Sequence, residues 1–217
     1  MLDILLYISN FLIVFGFLGY IIVILIYKKY KNSEYNGFNI TKDVLNEFDS
    51  INIIENKSYF TVYNIRRKVI KIASNCYYGN SVSDMAISLM EAGISVVDNN
   101  KNNFILFMKK IVSNLKYLYI LPIIAVIFNS ISSGILDFKI GILLTAIFSI
   151  IMYFLINIKS EGIIIISKEL EKNKKVNNDL IIRIISFMNK VILLDKLIFI
   201  SELVMIIRFI AIILNFS

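Results

Sequence analysis

Histidine is absent from this sequence. No imidazole can bind a metal or carry protons near neutral pH, which removes most hydrolase triads and nearly all catalytic zinc sites. Any chemistry would have to rest on Asp, Glu, Lys, Tyr or Ser. Cysteine is nearly absent: with Cys76 alone, a single chain forms neither an intramolecular disulfide nor a four-cysteine zinc cluster. Cys76 reads as a small residue packed beside a turn. The eight glycines are scattered and form neither a Walker loop nor a GxGxxG phosphate cradle. There is no internal repeat.

What is present is apolar. Of the 217 residues, 58% are hydrophobic, above the ~45–50% usual for a soluble domain. Lipid is therefore expected as part of the solvent. The formal net charge is +7, and its cations mostly flank long apolar runs, which suits anionic headgroups better than nucleic acid.

The first run, Leu5 to Tyr27, is long enough to cross a hydrocarbon core, which takes ~20 apolar residues in a helix. Asn10 interrupts it. Asp3 precedes it and Lys28, Lys29 and Lys31 follow, the reverse of a cleaved signal peptide, so residues 1–27 read as a retained anchor. The positive-inside rule then puts residues 28–116 in the cytoplasm and both termini outside. A second span is expected at Tyr117 to Ser132, with Pro122 in its first turns, and a third at Ile140 to Ile158. These make a helical pair over residues 117–158. Residues 159–196 read as a basic cytoplasmic insert, and residues 197–217 as a fourth span carrying the intramembrane charges Glu202 and Arg208.

Two patterns alternate in the cytoplasmic part. Val62, Ile65, Val69, Ile70 and Ile72 form a β-branched stretch that reads as one or two strands around Asn64 to Arg67. Ser81 to Val97 reads as a helix, capped by Ser81 with Asp84 three residues on. Asp98, Asn99 and Asn100 mark its end. The expected fold class is a mainly α membrane protein, with about four transmembrane helices and a small α+β cytoplasmic portion between spans one and two.

Thr61 to Val97 resembles a known family without a gap. Tyr63, Arg66, Lys68 and Val69 match an Asp-His-Tyr-Asp-Pro-Arg-x-Lys-Val-Val stretch, and Tyr77, Gly79 and Ser81 match a Tyr-x-Gly-x-Ser-Ile turn. Leu89 to Val97 fall on Ala-His-Glu-Val-Gly-His-Ala-Ile-Gln, where Glu91 and Gly93 remain while Met90 and Ile94 replace both histidines. These are motifs of the bacterial integral membrane zinc metallopeptidases of the YugP type, which this chain resembles as a degenerate member. In a His-Glu-x-x-His helix the histidines share one face and hold zinc, and the glutamate takes a proton from the metal-bound water. The resemblance implies that Glu91 is a vestigial general base, that Met90 and Ile94 are degenerate ligand positions, and that Glu161 or Lys159 stands at the third; taken as a helix residue alone, Glu91 reads as a solvent-facing charge.

The expectation is a catalytically inactive relative that acts as a binding or regulatory partner of other membrane proteins, with no cofactor where the family has zinc. One alternative is an active metallopeptidase with a carboxylate metal site built from Glu91, Glu161 and Asp84 or Asp98. Another is a small transporter or channel subunit using Glu202 and Arg208. Nucleic-acid binding is not expected.

Overall fold

The computed structural model describes residues 2–32, 34–46, 48, 51–100, 135–173 and 176–216. In chain order its elements are helix α1 (Leu2–Lys28), α2 (Gly37–Leu45), strands β1 (Asn52–Asn56), β2 (Val62–Asn64) and β3 (Val69–Ala73), a short α3 (Ser74–Tyr77), α4 (Val82–Asn100), α5 (Ile135–Lys172) and α6 (Asn178–Phe216). The described residues are mainly helical, with one small sheet among them.

α1 and α5 contain the two helical stretches among the described residues that are long and apolar enough to cross a membrane, Ile4–Lys28 and Thr145–Lys172. The expected second span and Pro122 lie outside the described residues. α5 does not stop where its uncharged run ends at Ile158, but continues to Lys172. Lys159, Lys168 and Lys172, which read as part of an insert, belong to this helix, and α6 begins at Asn178. Glu202 and Arg208 are both buried in the second half of α6.

α1 and α6 run antiparallel. Ser9 Oγ donates to the Ser201 carbonyl at 3.1 Å, Gly16 lies against Ile198 and Gly19 against Leu194. Further along, the Lys190 ammonium donates to the Tyr27 hydroxyl at 2.9 Å. The outer face of α1, including Phe11, Val14, Phe15, Leu18, Ile22 and Leu25, is exposed apolar surface. Such a continuous face calls for lipid or another protein.

The soluble elements are built on local chemistry. Asn36 caps α2 by accepting the Asn39 N–H at 2.8 Å, and α2 buries Ile40, Val44 and Leu45 on one face. The sheet has strand order β1-β3-β2, with β1 parallel and β2 antiparallel to β3. Two strands therefore flank the expected stretch. Residues 65–68 between them form the turn, so Ile65 belongs to the turn and not to a strand. Asn64 Oδ1 accepts the Arg67 N–H at 3.2 Å, and Lys68 takes the left-handed conformation at φ 50°. Ile70 and Ile72 on β3 pack into the main core with Met85 and Leu89 of α4.

α4 begins as its sequence indicates. Ser81 Oγ accepts the Asp84 N–H at 3.2 Å and donates to the Asp84 carboxylate at 2.5 Å. The turn before it needs a residue without a side chain: a Cβ on Gly79 would stand 2.2 Å from the Asn75 carbonyl oxygen and 2.5 Å from Asp84 Oδ2. α4 then runs through Asp98 to Asn100.

Candidate functional site and family membership

The motif residues lie where α4 meets both the sheet and α5. Glu91 is partly buried and Glu91 Oε2 accepts the backbone N–H of Tyr63 at 2.8 Å. It is not a solvent-facing charge. β2 is an edge strand, so this carboxylate satisfies an N–H on the side of the sheet with no strand neighbour. Two turns further along α4, Asp98 Oδ2 accepts the Tyr63 hydroxyl at 2.8 Å. Burial, reinforced by Asp98, raises the Tyr63 phenol well above its ordinary value, which keeps it a donor. One tyrosine thus ties β2 to α4 at two points.

Removing the Glu91 carboxylate has a structural consequence. Glu91→Ala is expected to cost about 1–3 kcal/mol, because the Tyr63 N–H loses its acceptor in a half-buried place. Glu91→Gln, whose side-chain carbonyl still accepts, is expected to cost less. Thermal unfolding together with amide exchange at Tyr63 checks this, and equal exchange in Glu91→Ala and the parent would contradict it.

Met90, Gly93 and Ile94 share a helix face by their three- and four-residue spacing. Met90 and Ile94 are partly buried and pack against the main core. Between them Gly93 meets Gly162 of α5: a Cβ on Gly93 would stand 2.7 Å from the Gly162 carbonyl carbon, and the reverse substitution would be as close. The two backbones touch. Glu161, next to Gly162 in the chain, borders this crossing and is partly buried. Lys159 is committed elsewhere, as its ammonium lies 2.9 Å from Asp195 Oδ2 of α6, whose other oxygen accepts the Tyr20 hydroxyl of α1.

These residues do not fit a zinc ion. The motif face offers a thioether and an alkyl group where zinc takes nitrogen, thiolate or carboxylate donors. Glu91 is occupied by a backbone N–H. Asp84 is engaged at the cap and Asp98 with Tyr63, so the carboxylates of the alternative metal site serve different partners. Among the described residues no three His, Cys, Asp or Glu side chains are grouped as a metal would require.

Cys76 is buried. Burial, with Asp84 adding to it, pushes its thiol up to about 11, and a neutral thiol is a poor nucleophile. The reading of Cys76 as a packed residue beside a turn agrees with this environment. Sequence reasoning did not find Asp98 as the partner of Tyr63, nor the Tyr20–Lys159–Asp195 group. Asp195 alone carried a signal, as an acidic residue within the apolar run Val191 to Ile200.

Residues 4–158 match the family model described as "Putative neutral zinc metallopeptidase", and the chain belongs to that family. No curated protein and no solved structure matches.

Proposed function

We propose that this chain is a membrane-integrated, non-catalytic member of the neutral zinc metallopeptidase family that acts as a binding or regulatory partner of other membrane proteins. The observation that carries the reading is the state of the motif helix. Met90 and Ile94 pack apolar side chains at the two histidine positions, and Glu91 spends its carboxylate on the Tyr63 N–H. A zinc peptidase needs that glutamate free to take a proton from metal-bound water. The membrane half of the reading draws support from the two long apolar stretches and from the exposed apolar face of α1. In this reading the sheet and α2 to α4 lie on the cytoplasmic side and both termini outside.

Metal analysis of detergent-purified protein tests it, with the parent beside a Met90→His/Ile94→His double variant. The parent is expected to carry only background zinc. The variant, with two imidazoles one turn apart and Glu161 at the border of the same crossing, is expected to gain up to about one zinc per chain. Stoichiometric zinc in the parent, with peptide cleavage abolished by a chelator, would refute the proposal.

A further inference from the structure

We infer that the turn Arg66–Arg67–Lys68 is a contact site for anionic lipid headgroups at the inner face of the bilayer. The inference rests on the membrane reading above and adds a specific lipid-binding element to it.

The level of the turn follows from contacts. α1 carries no charge from Ile4 to Tyr27, and α5 none from Ile140 to Ile158. The first charges beyond the α5 run are Lys159 and its partner Asp195, which lie beside Tyr20 of α1. From Tyr20 to Lys28, where α1 ends, is about 12 Å along the helix. That interval takes in the inner margin of the hydrocarbon and the headgroup layer of about 5–8 Å beyond it.

α4 points into this layer from the cytoplasmic side. Its start is held beyond the end of α1, where the Val82 N–H donates to the Tyr30 carbonyl at 2.9 Å. Gly93 then touches Gly162, about one turn from Lys159 on α5. Asp98 lies about 7 Å further along α4.

β2 runs the same way as α4. At its beginning, Thr61 Oγ1 accepts the Ala73 N–H at 3.1 Å, close to α3, whose Cys76 thiol lies 3.9 Å from Asp84 near the start of α4. Tyr63 reaches Glu91 and Asp98. The turn that follows β2 is therefore at the bilayer end of the sheet.

Three successive cations stand there. Arg66, Arg67 and Lys68 are all exposed, and none makes an ion pair with a described residue. Their backbone is fixed by the Asn64 acceptor and the left-handed Lys68, while Ile65 anchors the turn on the core. Fixed and unpaired cations at headgroup depth match phosphate-bearing anionic lipids, to which arginine can donate in pairs.

The test uses the full chain in lipid nanodiscs of pure phosphatidylcholine or of phosphatidylcholine with about one third phosphatidylglycerol. Amide exchange of residues 62–73 is the readout. Exchange at the turn is expected to slow about fivefold or more in the anionic discs. The slowing should vanish in R66Q/R67Q/K68Q, and soluble glycerol phosphate added to phosphatidylcholine discs should not reproduce it. Equal exchange of the parent in both discs overturns the inference whatever the variant does, and so does protection by glycerol phosphate alone. Failure of the chain to enter discs, with release from membranes by alkaline carbonate, overturns the membrane reading and the inference together.

Discussion

Asp195→Ala is expected to destabilise the protein by about 3–5 kcal/mol, the cost of leaving one member of a buried ion pair without its partner. Asp195 is 1% exposed and Lys159 12%, so little water can reach the stranded ammonium. The same substitution removes the acceptor of the Tyr20 hydroxyl, and three helices lose their common polar contact. Removing both charges should restore much of the loss. Asp195→Ala/Lys159→Met leaves no unpaired charge and fills the space with an unbranched apolar chain, so it is expected to lie within about 2 kcal/mol of the parent. Thermal or denaturant unfolding in a fixed detergent, run on parent, single and double variants, gives the comparison. A double variant as unstable as the single one would show that the pair is not the source of the effect.

Gly93→Leu is the second large effect, and it acts on packing. The atoms that a Cβ would meet at 2.7 Å are the carbonyl carbon and oxygen of Gly162, which cannot rotate away as a side chain can. Overpacking of this kind costs about 1–3 kcal/mol, and two backbones in contact put Gly93→Ala at the upper end. With leucine, α4 and α5 have to separate. The separation would loosen the seam on which Met90 and Ile94 pack, so exchange should rise in both helices near the crossing while α2 stays protected. Unchanged protection around Gly162 in Gly93→Leu would mean that the crossing gives way without cost.

These two sites differ in how far the sequence announced them. Gly93 stood out only as a surviving motif residue, and its spacing to Met90 and Ile94 placed it on their face. That a second glycine would lie opposite is a tertiary fact with no local sign. The start of α4 was legible because capping is local: Ser81, Asp84 and Gly79 act within six residues of each other. The hairpin was legible from its β-branched run, although Ile65 sits in the turn because Asn64 and Lys68 set the chain reversal. β1 escaped notice because Asn52–Asn56 is a short edge strand, mostly exposed, whose pairing is with residues seventeen positions away. α2 escaped for a different reason, as Asn36 and Asn39 read as loop residues until Asn36 is seen to cap. Lys159 and its followers read as the end of an apolar span. Hydropathy registers a lysine as a helix leaving lipid, and only the position of Asp195 shows that the helix goes on and the charge turns inward.

The bond between Glu91 and the Tyr63 N–H also shapes the edge of the sheet. The rim of a small sheet is an invitation: an extended peptide can dock there by lending its carbonyls to vacant N–H groups, and identical chains can stack by the same means. At β2 the carboxylate of the chain's own helix already holds one of those positions. A side chain of the motif helix here stands where a docking peptide's carbonyl would, and that position on the rim is closed from within.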